Sequence, residues 1–240
     1  MGQTAPLTRR PAAAGTTGTA AAVDTVLARL RGSAAGPPER DGVAVFHRVY
    51  LAVAEEAARR PAAGRPATAR AAAALHARLA GRYLAAVDPA AGPRRAPDCW
   101  RPLLQARRHP GVRPLQFALA GLHAHTGHDL ALAVVDTCAA LGCEPAGLEG
   151  AFERVGDLLA ALEERAREDL APGPDLLRIA DPLTHLLGAW HPRQALDAAW
   201  TAARTLWALR RVPELAGEHA RGLDAAVGLT ARMMLTPLPR

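Results

Sequence analysis

From Pro114 to Leu141 the chain runs 28 residues with no second proline, and its only charged or imidazole side chains are His123, His125, His128, Asp129 and Asp136. At 3.6 residues per turn this is about eight turns of helix. A helix that is apolar on nearly every side must be covered on nearly every side. The stretch therefore predicts a buried central rod, and the rest of the chain has to wrap it. The material available is mostly Ala and Leu, with a single isoleucine, Ile179. These are helix formers, whereas strands draw on β-branched side chains. The covering elements are expected to be helices too. The fold class is all-α: a single multi-helix domain of about seven to nine helices around a long buried central helix.

Glycines and prolines cut the sequence into helical segments. Residues 1–20, "MGQTAPLTRRPAAAGTTGTA", are broken up by Gly, Thr and Pro and are expected to be a disordered tail, with the helical domain spanning 21–240. The tail lacks the apolar run of a signal peptide, and Pro6 stands where myristoylation needs Ser or Thr. A short helix is expected over Val23–Arg31. Asp41 has the chemistry of an N-cap, opening a segment with Phe46, Val49, Tyr50 and Val53 at helical spacing. The next segment turns Leu75, Leu79, Tyr83 and Leu84 inward. A further helix starts at Trp100 and stops at "HPGVRP", and "LGCEPAGLEG" closes the central rod. Amphipathic stretches follow over residues 151–170, within 175–190, and from His191 and Val212 onward. No strand alternation and no fixed-period repeat occurs. No apolar run reaches membrane-spanning length.

All 29 basic side chains are arginine, and the chain contains neither lysine nor asparagine. The net charge is +6 and the pI about 10.4. Guanidinium groups fork onto carboxylate and phosphate, so the expected partner is an anionic small molecule or a substrate borne on an acidic carrier protein. Aromatics are not interleaved with the arginines in any basic stripe, and nothing supports nucleic-acid binding. Cys99, Cys138 and Cys143 are odd in number and lack paired spacing, which suits free thiols in a reducing cytoplasm.

Three histidines and an aspartate fall within seven residues of "GLHAHTGHDLALAVV". Burying that many polar groups is costly unless each finds a partner. On an unbroken helix, His125, His128 and Asp129 share a face. His123 points nearly the opposite way and is expected to meet another helix together with Gln116. The candidate catalytic residues are His125, Asp129, His123, His47 and Asp41. The candidate substrate-binding residues are Tyr50, Gln116, His128, Trp100 and Arg193. No phosphate loop, H-E-x-x-H or G-x-S-x-G occurs. The expected chemistry is metal-independent acid–base work of a lyase type, elimination or cyclisation, with the carboxylate setting the histidine tautomer. The arginine-only composition, typical of a GC-rich genome, fits a specialised biosynthetic pathway. Two alternatives stand beside it. One is a zinc-dependent phosphoester hydrolase with His125, Asp129 and His128 as ligands. The other is a non-catalytic helical subunit that needs a partner and uses the motif as an internal polar network.

"DGVAVFHRVY", Trp100 with the following "PLL", "RPLQFALAGLHAHTGHDLALAVV" and "RQALDAAWTAARTLW" resemble a family of bacterial proteins known as a domain of unknown function. Arg193, Trp200 and Trp207 take part in the match. The resemblance implies a helical domain with a shared pocket, and no particular reaction. The family pattern is similar to D-G-x-x-x-F-N-x-x-Y and G-x-N-A-H-I-N-x-D-L. Asp41, Tyr50, His125 and Asp129 retain it. His47 and His123 stand where the pattern has asparagine, and so does Gly127. The two histidines thus place titratable groups where the family pattern has neutral amides. The H-x-x-x-D spacing of His125 and Asp129 is also similar to zinc-dependent phospholipase C and related nucleases. Their N-terminal tryptophan ligand and second H-x-x-x-D pair have no counterpart here.

Overall fold

Helix follows helix through the computed structural model, which describes residues 13–33, 41–59, 65–88, 96–170 and 191–237. The elements are α1 (Ala13–Ser33), α2 (Gly42–Arg59), α3 (Pro66–Val87), α4 (Arg101–Ala106), α5 (Pro114–Ala124), a π turn (His125–Asp129), α6 (Leu130–Leu141), a 3-10 turn (Pro145–Leu148), α7 (Glu149–Leu170), α8 (Pro192–Leu209) and α9 (Pro213–Met234). Among the described residues there is no strand. The nine α-helices among the described residues and their class agree with the expectation of a single all-α domain. α1 starts at Ala13 rather than Val23, so the latter part of the 1–20 stretch is helical. Residues 1–12 and the segment expected within 175–190 lie outside the described residues.

α5, the π turn and α6 form the predicted central rod. Proline at its first position and an extended Arg113 start it, with the Arg113 N–H donating to Gln116 Oε1 at 2.8 Å. It stops in a Schellman turn: Gly142 adopts φ 62°, and the Cys143 N–H returns to the Cys138 carbonyl at 3.1 Å. A positive φ is open to glycine at little cost. α2, α7 and α9 pack along α5, while α3 and α8 pack along α6. No single described helix is long and apolar enough to cross a membrane.

The aromatic residues are few and concentrated. Phe46, both tyrosines (Tyr50 and Tyr83) and Trp100 are buried and stack on one another with ring centroids 5.1–5.8 Å apart. Such tilted and edge-on pairs add to area burial. At the far side of the rod, α9 comes so close to the turn before α4 that a Cβ on Gly228 would lie 2.4 Å from the Asp98 carbonyl oxygen. The neighbour is backbone and cannot swing away. Gly228→Ala is therefore expected to cost about 1–3 kcal/mol, read as a lower urea midpoint at unchanged slope.

Candidate functional site

The motif does not continue the α-helix that contains it. Leu130 N–H bonds the His125 carbonyl, five residues back. This π turn holds one residue more than an α turn, which shifts everything beyond it by about 100° around the rod. Before the turn, the polar side chains Gln116 and His123 serve α9. Gln116 Nε2 donates to the Met234 and Thr236 carbonyls, at 2.8 Å each. His123 has a backbone hydrogen bond at Val227, and burial pushes its pKa down to about 4. The expected pairing of His123 with Gln116 against another helix is thus present. Gln116 fastens helices, since both amide hydrogens and the oxygen are engaged.

Inside the turn, Asp129 is the hub. Its Oδ2 accepts from Trp100 Nε1 at 2.8 Å and its Oδ1 from His128 Nδ1 at 3.0 Å. Burial pushes the Asp129 carboxyl up, but the imidazoles of His128 and His125 beside it outweigh this and hold it below the usual value. His125 Nδ1 stands 3.6 Å from Oδ2, and neither ring nitrogen of His125 has a hydrogen-bond partner. Its ring lies among Tyr50, Phe46, Tyr83 and Trp100 at centroid distances of 4.9–6.3 Å. Tyr50 Oη meets His76 Nε2 at 3.0 Å, and burial, with His125 nearby, lowers the His76 pKa to about 4.

His128 reaches outward from the same hub. Its Nε2 points to Asp224 Oδ1 on α9, 3.9 Å away. Asp224 accepts from the Asp98 and Cys99 backbone N–H groups at 2.9 and 2.8 Å. One ligand atom each from Cys99, His128 and Asp224 lies within 4.8 Å of the others. The trio expected for zinc, His125, Asp129 and His128, is brought together differently: both Asp129 oxygens already serve Trp100 and His128.

A second group lies across the aromatic cluster. His47 Nε2 is 2.9 Å from the Leu30 carbonyl and Nδ1 is 2.9 Å from the Tyr83 hydroxyl. A carbonyl only accepts, so Nε2 carries the proton and Nδ1 accepts from Tyr83. Burial lowers the His47 pKa and raises that of Tyr83. Asp41 caps α2 as expected, with Oδ1 3.0 Å from the Val43 N–H, while Oδ2 holds Arg107 Nε at 2.7 Å. His47, Tyr83 and Arg107, with Arg29 and Asp88, line a cavity of 540 Å³.

The predicted residues therefore divide. His125, Asp129, His128, Trp100 and Tyr50 meet in the interior. His47 faces the cavity, with Asp41 behind it. Gln116 and His123 sit on the α9 seam. Arg193 is exposed in the first turn of α8 and joins neither group. Sequence reasoning gives Tyr83 only an inward-facing place on its helix, and gives Arg107 and Asp224 no role. Only Tyr83 left a signal: it shares a face of α3 with His76, seven residues earlier.

No curated protein and no solved structure matches this chain. The profile of a family of unknown function (DUF5995) matches residues 23–237, so the chain belongs to that family.

Proposed function

We propose that the protein is a lyase-type acid–base enzyme that binds an anionic small molecule, free or carrier-borne, in the cavity between α1, α2, α3 and α4. The observation that carries this reading is the shared lining: a hydrogen-bonded Tyr83–His47 pair and the cations of Arg29 and Arg107 open onto one space. The arginines fit an anionic group, and Asp41 fixes the direction of Arg107. In the forward step the substrate's proton passes to the Tyr83 oxygen as the Tyr83 proton passes to His47 Nδ1. The Leu30 carbonyl, already bonded to Nε2–H, supports the imidazolium that forms. The reverse transfer returns a proton to a leaving group, as elimination or cyclisation requires.

Thermal unfolding with inorganic phosphate, citrate and coenzyme A tests the binding step. Coenzyme A carries the phosphopantetheine arm found on carrier proteins. At least one probe is expected to raise Tm by mass action. Arg29→Gln is expected to remove that rise while leaving the Tm without probe unchanged, because Arg29 is exposed. No response to any probe, or an equal response in Arg29→Gln, would overturn the reading.

A further inference from the structure

We propose that Cys99, His128 and Asp224 hold one divalent transition-metal ion, zinc by donor chemistry, at the seam between the turn before α4, the π turn and α9. The site stands apart from the cavity and does not depend on the acid–base reading.

Three elements distant in sequence bring a sulfur, an imidazole nitrogen and a carboxylate oxygen within 4.8 Å of one another. Around a tetrahedral zinc such atoms sit ~3.3–3.6 Å apart, given bonds of about 2.0–2.3 Å. Side-chain rotation of about an ångström closes the difference. The mixture of S, N and O donors suits zinc and its neighbours rather than magnesium or calcium, which take oxygen alone.

The second observation is the setting of His128. Its Nδ1–H donates to Asp129, whose other oxygen is pinned by Trp100. Metal-binding histidines are oriented by a carboxylate on the nitrogen away from the ion in this way. The arrangement leaves Nε2 to ligate. That atom faces Asp224 Oδ1 at 3.9 Å, too far for a hydrogen bond and close to the spacing of two ligands that flank an ion. Asp224 is equally prepared: each oxygen accepts one backbone N–H, which fixes the carboxylate and leaves further lone pairs. The close approach at Gly228 sets the distance between α9 and Cys99.

On binding, the Cys99 thiol releases its proton to solvent and enters as thiolate. Three protein ligands leave a fourth position for water, the pattern of reactive rather than closed structural zinc sites. Asp224 is partly exposed, with 21% of its side chain accessible, which gives the ion a way in.

The test uses the full chain, stripped with a chelator and titrated with Co2+, then with Zn2+. One equivalent of Co2+ is expected to produce a thiolate charge-transfer band and the visible bands of a tetrahedral ion, and Zn2+ to displace both. Cys99→Ser is expected to abolish the charge-transfer band, and Cys138→Ser to leave it intact. Asp129→Asn is expected to weaken binding ~10–100-fold while the thiolate band persists at saturation. A native chain that takes up no stoichiometric Co2+ or Zn2+ overturns the proposal whatever the variants do. So does a charge-transfer band that survives Cys99→Ser or is lost in Cys138→Ser.

Discussion

Asp129→Ala is expected to lose about 3–5 kcal/mol of stability, the usual cost of removing one member of a buried charged hydrogen-bond group. Two buried donors lose their acceptor at once, Trp100 Nε1–H and His128 Nδ1–H. Against a total stability of about 5–15 kcal/mol, that change brings a domain close to unfolding. Urea unfolding at neutral pH measures it. Asp129→Asn can still accept from Trp100 and should lose less, about 1–2 kcal/mol. Asp129→Leu combined with Trp100→Phe removes donor and acceptor together and should be more stable than the sum of the two single changes implies. Near-native stability of Asp129→Ala would show that the hub holds nothing. The predicted loss counts Asp129 among the groups on which the fold depends, whatever chemistry surrounds it.

Stability should also fall steeply as pH drops from 6.5 towards about 4. Burial lowers the pKa of His76 and His123 to about 4 in the folded chain, while each titrates near 6.5 when unfolded. Within that window the unfolded state binds more protons, so stability rises with pH and is lost as pH falls. A shift of this size corresponds to about 3 kcal/mol for the buried His76, and less for the partly exposed His123. His47, also lowered by burial, acts in the same direction. Asp129 adds its loss further down, below the ordinary carboxylate range, because its folded pKa is depressed. Urea midpoints across the window measure the slope. His76→Gln, which keeps a partner for the Tyr50 hydroxyl and cannot titrate, should flatten it. A pH-independent midpoint would contradict the buried neutral state of these histidines.

The rod, its proline start, its glycine stop and the Asp41 cap could be read in the sequence because each is a local rule satisfied by neighbouring residues. The seam between Gln116, His123 and a second helix could be read as well, since α5 is a regular helix up to Ala124. The reading failed where an extra residue entered the helix. No local pattern in "HTGHD" announces an i+5 bond, so the sequence treats the rod as one unbroken helix, whereas the structure inserts a π turn over His125–Asp129. The roles of Tyr83, Arg107 and Asp224 are not legible in the sequence for another reason. Each acts through a partner 36 to 126 positions away, and tertiary packing alone sets those meetings.

The surplus residue also makes this helix unusually sensitive to length. Loss of a single codon, that for Gly127, would restore an uninterrupted α-helix only about 1.5 Å shorter. The seam side of the rod would keep its partners on α9. The downstream side would swing by about 100°, carrying the carboxylate away from the indole and the imidazole away from the thiol. In this chain the phase of the helix, more than its composition, decides which residues meet.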